Sequence, residues 1–237
     1  SLMNLLLQKG YIAHPQLLFG AIGDATCDRA PLQIGQFESG IEMDEDLGRI
    51  YLEGGGGGQK TESYELAAYF MAAHTALDCF EKRGQKGYLF IIGDEQPYDA
   101  AKRREIERVI GDAPRCDIPT AAIFQTLQRT YEVFHILPAG TSNAADRNIQ
   151  RAWQDLLGQN VLHLDDPAAV CEAIALTIGL CEGKVDLHAG VDDLRNVGVS
   201  ELVTRSVASA LATLTRARPR PAGAGGRGFG FIRRLLG

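Results

Sequence analysis

Apolar residues fall along this chain in two alternating styles: short unbroken runs, and longer stretches spaced by threes and fours. Gln16 to Asp24 (QLLFGAIGD) is nearly continuous, as in a strand covered on both faces. Leu32 to Phe37 alternates, as in an edge strand. Gly87 to Asp94 (GYLFIIGD) is the clearest buried strand, and Glu132–Leu137 and Asn160–Leu164 read as two more. Helical spacing separates them. Residues 2–9 look like the end of a helix stopped by Gly10. Asp44–Leu52, Asp99–Ile110, Pro119–Arg129, Asp146–Leu157, Pro167–Cys181 and Val199–Leu214 read as helices, Pro119 taking a first-turn position. The longest predicted helix, Glu62–Lys82, places Leu66, Tyr69, Phe70, Ala73, Leu77 and Phe80 on one face and stops at Gly84.

Strand–helix alternation over residues 16–183 predicts an α/β fold with a mostly parallel sheet and helices on both faces. One domain is expected over residues 1–215, with its core at 3–183 and a packed helix at 199–214. A tail rich in Gly, Pro and Arg follows at 216–237. In such sheets ligands bind at the carboxyl ends of the strands. Asp24 and Asp94 each close an apolar strand, so topology brings them to one edge.

That edge also receives the most unusual segment of the chain. Five consecutive glycines, Gly54–Gly58, precede Gln59-Lys60-Thr61-Glu62-Ser63 and the long helix. Glycines in such a run let backbone amides approach an ion or an oxyanion, at a high cost in chain entropy. Thr61 and Ser63 then place hydroxyls at the predicted helix start. A surface linker ending in a Thr61 N-cap is the plainer alternative.

Composition narrows the partners. In 237 residues, 45% are hydrophobic and 23% charged, and the net charge is −6, which argues against nucleic acid. The segment from Arg216 to Leu236 is the exception, with six arginines and no acid. No apolar run nears the ~18 residues of a membrane span, so no membrane partner is expected. The five cysteines are odd in number and lack any Cys-x-x-Cys pair, and some fall in apolar helical stretches where a thiol is a small core residue, which predicts a reduced, cytoplasmic protein.

Three chemistries suit the edge. The glycine loop departs from a phosphate loop by Gln59, which stands where glycine is required, and it follows a helical stretch instead of a strand. A nucleotide- or phosphate-binding enzyme using Gly54–Thr61 is the alternative function on that basis. A catalytic site lacks a nucleophile: His14, His74, His135, His163 and His188 are scattered, although Asp94-Glu95 could hold a proton or a metal. A divalent cation held by oxygens suits a strand-end carboxylate beside a hydroxyl from a glycine-lined loop.

The order of elements, the loop GGGGGQKTES before a helix and the strand GYLFIIGDE resemble a von Willebrand factor A-type domain over roughly residues 1–185. The resemblance implies a three-layer α/β/α, Rossmann-like fold and a metal-ion-dependent adhesion site, not an enzyme. Asp94 and Thr61, with Ser63, match the family's metal-ligand positions; Asp24, Gly57, Gly58 and Glu95 would line the binding edge. Mg²⁺ or Mn²⁺ and a protein partner offering an acidic residue are implied. The family's Asp-x-Ser-x-Ser motif has no match, so its first strand would lie upstream of Met3, leaving half a metal site or a fragment-like chain with no ligand. That strand lies between the counterparts of 17–24 and 88–94. Those two strands are then expected to close on each other, or to borrow a strand from a second copy in a homodimer or from Phe229–Leu236.

Overall fold

The computed structural model describes residues 2–53 and 58–217. Helix α1 (Leu2–Gln8) leads into a hairpin of β1 (Gly20–Ile22) and β2 (Leu32–Ile34), followed by α2 (Glu42–Arg49). Next come β3 (Thr61–Glu62), α3 (Tyr64–Ala73), α4 (Asp78–Arg83) and β4 (Gly87–Ile92). Short strands β5 (Gln96–Pro97) and β6 (Ala100–Ala101) precede α5 (Arg103–Val109), β7 (Ile118–Pro119) and α6 (Thr120–Leu127). The chain then forms β8 (Tyr131–Pro138), α7 (Arg147–Leu157) and β9 (Val161–Leu164). Last come α8 (Val170–Cys181), α9 (Leu187–Asn196) and α10 (Glu201–Ala217).

The principal sheet is parallel throughout, in the order β4-β8-β9, with Leu89 opposite Val133 and Ile136 opposite Leu162. Its residues alternate between two apolar clusters, as the two-residue period of a strand demands. Phe90, Phe134, Ile136, Leu162 and Leu164 pack with α1, α8 and α10. Leu89, Ile91, Val133 and Val161 pack with α3, α6 and α7. Helices therefore cover both faces, and the molecule is a mixed α/β protein. The hairpin is separate: β1 pairs only with β2, antiparallel, among the described residues.

The expected long helix over 62–82 is two helices. It begins at Tyr64, and Thr61-Glu62 instead pair as a short strand with β5. Between α3 and α4, Thr75 turns its hydroxyl back to Met71 O at 2.5 Å and meets Tyr131 Oη at 2.7 Å, while Leu77 is extended. Gly84 does end α4, with φ +67°, in the left-handed conformation open to glycine. The helix expected from Asp99 starts at Arg103, because Ala100–Ala101 pair with β7. Helix α9 had no counterpart in the sequence reading; its N-cap Asp186 accepts from Ala189 N at 2.9 Å. None of the cysteines is fully buried: Cys27, Cys116 and Cys171 are exposed and Cys79 and Cys181 half-buried, Cys181 packing against the core.

The strands over 17–24 and 88–94 do not close on each other, since neither β1 nor β4 pairs with the other. Residues 218–237 of the expected tail lie outside the described residues, as does Gly57. The helix expected at 199–214 does pack on the core, through Val207, Leu211 and Leu214.

Trp153 of α7 ties the sheet to the loops above it. It is fully buried, and its ring stacks on His135 of β8 with centroids 3.7 Å apart and planes 10° apart. Tyr64 and Phe124 meet it edge-on at 5.1 and 5.9 Å. Replacing Trp153 by Ala should destabilise the protein by about 3–5 kcal/mol, the range for large-to-small aromatic changes in a core. Urea unfolding followed by circular dichroism measures this.

Candidate functional site

Three loops meet at the carboxyl ends of β1 and β4. The first follows β1. Asp24 is 2% exposed and accepts from Thr26 N at 2.7 Å, Thr26 Oγ1 at 2.8 Å and Tyr98 Oη at 2.9 Å, and from Gln59 Nε2. Burial pushes its carboxyl up, but these hydrogen bonds outweigh burial and hold it below its usual range. Asp24 is therefore an ionised carboxylate locked into its own loop.

The second loop runs from Gly58, with φ +76°, into α3. Ser63 sits at the N-cap position, yet its hydroxyl caps nothing. It is 1% exposed and accepts from Ala25 N at 2.9 Å, while Ser63 N donates to Gly23 O at 3.3 Å. The hydroxyl thus fastens the second loop to the first. Lys60 turns outward to Asp146, 2.7 Å away.

The third loop follows β4. Asp94 accepts from Asn143 N at 2.8 Å, and Gln96 N donates to Lys60 O at 3.1 Å, joining this loop to the second. Trp153 Nε1 donates to Glu95 O at 2.8 Å, so the ring that anchors the core also sets the acidic loop. Gly93 is the point of closest approach: a Cβ there would collide with the Tyr64 hydroxyl.

Carboxylates accumulate where the loops meet. Glu62 faces Glu95, and both lie in the field of Asp24 and Asp28. Burial, then the Glu95 charge and a hydrogen bond to it, pushes the Glu62 carboxyl up to about 8. Burial also raises Glu95, against the opposing bond from Glu62, so Glu62 is the protonated member and donates to the Glu95 carboxylate. Glu62 Oε2 is sealed from solvent and has no hydrogen-bond partner among the described residues. Glu65, fully buried one turn on, is also raised to about 8 by burial, although its Oε2 accepts from Tyr98 N at 3.1 Å.

The structure thus unites Asp24, Ser63, Asp94 and Glu95 at one edge, with Thr61 on the adjoining strand. Glu62, Asp28 and Tyr98 escaped the sequence reading. Glu62 was hidden inside a predicted helix, and no periodicity marks Tyr98. Among the described residues, no three His, Cys, Asp or Glu side chains are gathered as a metal ion requires. No described helix is long and apolar enough to cross a membrane. No protein-family model matches the chain, and neither does any curated protein or solved structure.

The Glu62–Glu95 pair makes stability pH-dependent in a defined direction. Glu62 binds its proton more tightly folded than unfolded, so its contribution is complete below its ordinary value of 4.5 and is lost as pH rises toward about 8. Thermal melts from pH 5 to 9 should show a falling midpoint. Glu62→Gln, permanently neutral, should flatten that slope and melt higher than wild type at pH 9.

Proposed function

We propose that this chain is a non-enzymatic interaction domain of the von Willebrand factor A type, a three-layer α/β/α sandwich that engages a protein at the carboxyl edge of its sheet. The observation carrying this reading is the convergence of the Asp24, Thr61–Ser63 and Asp94–Glu95 loops at that edge. Apolar clusters on both faces of a parallel sheet support the layered fold.

The residues present fit a divalent cation only in part. Asp94 and Thr61 would hold Mg²⁺ or Mn²⁺, with water and a partner's carboxylate completing the shell. Ser63, already committed to Ala25 N, would fix the loop. The cation would supply the positive charge without which this edge repels an acidic partner. Asp24, Asp28, Glu62, Asp94 and Glu95 contribute no cation of their own. The same acidity disfavours the alternative, a phosphate-binding enzyme, and Lys60, its expected phosphate ligand, is paired with Asp146.

Calorimetry separates the readings. Mn²⁺ should bind weakly, since two protein oxygens leave most of the shell to water, and Asp94→Ala should abolish the heat. ATP should give none. Tight ATP binding lost on Lys60→Ala would replace this reading with the phosphate-binding one, and Mn²⁺ binding unchanged by Asp94→Ala would remove the cation from this edge.

A further inference from the structure

A second charged feature lies where β6 and β7 pair antiparallel. Ala101 stands opposite Ile118, so Lys102 and Asp117 leave the pairing side by side. Lys102 Nζ lies 3.2 Å from Asp117 Oδ2, and Arg103 N donates to Asp117 Oδ1 at 2.9 Å. Together with Arg104 these residues line a recess of 330 Å³. The backbone around it is braced. Thr120 N donates to Asp99 O at 2.9 Å, and further along α5 the Arg108 guanidinium donates to Ala25 O in the loop after β1.

The charges in the recess do not cancel. Lys102, Arg103 and Arg104 are cations and Asp117 is the one acid, which leaves an excess of two positive charges in a chain whose net charge is −6. The Arg103 N–H, the Lys102 ammonium and the Arg104 charge hold the Asp117 carboxyl below its usual range, so it is ionised. Among the described residues, no carboxylate comes within ion-pair distance of the Arg103 or Arg104 guanidinium. Glu105 acts elsewhere, its charge falling on the buried Glu65. Other exposed cations are answered within the protein, Lys60 by Asp146, Lys82 by Asp78, and Arg195 by Asp192 and Glu201. Two open guanidiniums beside a lysine suit an oxyanion with several acceptor oxygens, because the planar fork binds such oxygens in pairs.

We propose that this recess receives the phosphate monoester of a phosphorylated serine or threonine on a protein partner. Charge selects phosphate over carboxylate. A phosphate monoester carries about −1.5 to −2 at neutral pH, which matches the excess of two positive charges, whereas a carboxylate would leave half of it unanswered. Size and lining select a side chain over a nucleotide. The recess is at the small end of ligand pockets, which span roughly 300–1,000 Å³, and every lining residue is charged, with no aromatic ring for a base to stack on. Arg103 and Arg104 would hold the phosphoryl oxygens and Lys102 would add a third positive charge, while Asp117 keeps Lys102 and the Arg103 backbone in place. Neither the acidic edge nor a bound cation takes part, so the recess and the family reading stand or fall separately.

NMR titration of the full chain in metal-free buffer tests this, with a short alanine peptide carrying one phosphoserine as the probe. At pH 7.5 the amides of Lys102, Arg103 and Arg104 and the guanidinium N–H groups of the two arginines should shift saturably. The same peptide without phosphate should shift nothing. Arg103→Gln with Arg104→Gln should weaken binding at least about tenfold, and Asp117→Asn, which removes the one acid, should tighten it. Affinity should fall as pH drops from 7.5 to 5, because the phosphate gains a proton at its second pKa of about 6 while the arginines stay charged. Binding that survives the double substitution would overturn the proposal. So would an equal response to the unphosphorylated peptide, or AMP binding as tightly as the phosphopeptide. Shifts that never saturate would mark an adventitious ion only and overturn it as well. Mn²⁺ calorimetry with Asp94→Ala reads the family proposal independently.

Discussion

The structure depends first on one aromatic contact, the stacking of Trp153 on His135. His135 lies on the central strand of the parallel sheet with no exposed surface, and burial drives its ring down to about 3 so that it stays neutral. A neutral imidazole can lie flat against an indole without the cost of a buried charge. Trp153 then reaches across to Glu95 O through its indole N–H. One side chain thereby couples the packing between helix and sheet to the position of the acidic loop. Tyr64 adds a second tie, since its ring meets both Trp153 and His135 and its hydroxyl abuts Gly93.

Above that anchor the electrostatics are out of balance. Carboxylates from three loops face one another, while Lys60 is turned aside to Asp146. Individual carboxyls find different remedies. Asp24 is satisfied by local donors and stays ionised, whereas Glu62 holds a proton against Glu95. Buried like charges raise the free energy of the folded state unless a proton, a cation or a basic group joins them. An edge built this way favours positive charge, whichever group brings it.

The sheet carries a second imbalance. Its strands β4, β8 and β9 are apolar on both faces, and helices cover those faces well. Among the described residues, its edge at β4 carries none of the charges, prolines or bulges that usually blunt an exposed edge. Ile92 remains 47% exposed there.

Much of the fold was legible in the chain. The unbroken apolar run Gly87–Ile92 sends side chains into both apolar clusters, and a parallel sheet is the arrangement that provides for this. Strand ends pointed to a meeting of Asp24, Asp94 and the glycine loop, although the strand before Asp24 lies in a separate antiparallel hairpin. Short-range pattern could not place the break between α3 and α4, because Thr75 finds its partner, Tyr131, 56 residues away. It could not place α9, whose apolar positions are few. Nor could it show that Ser63 would be used to fasten Ala25, or that Glu62 would share a proton with Glu95. Hydrophobic period is written locally, residue by residue; partners for polar groups and the titration of carboxylates depend on distances that exist only after distant segments have packed.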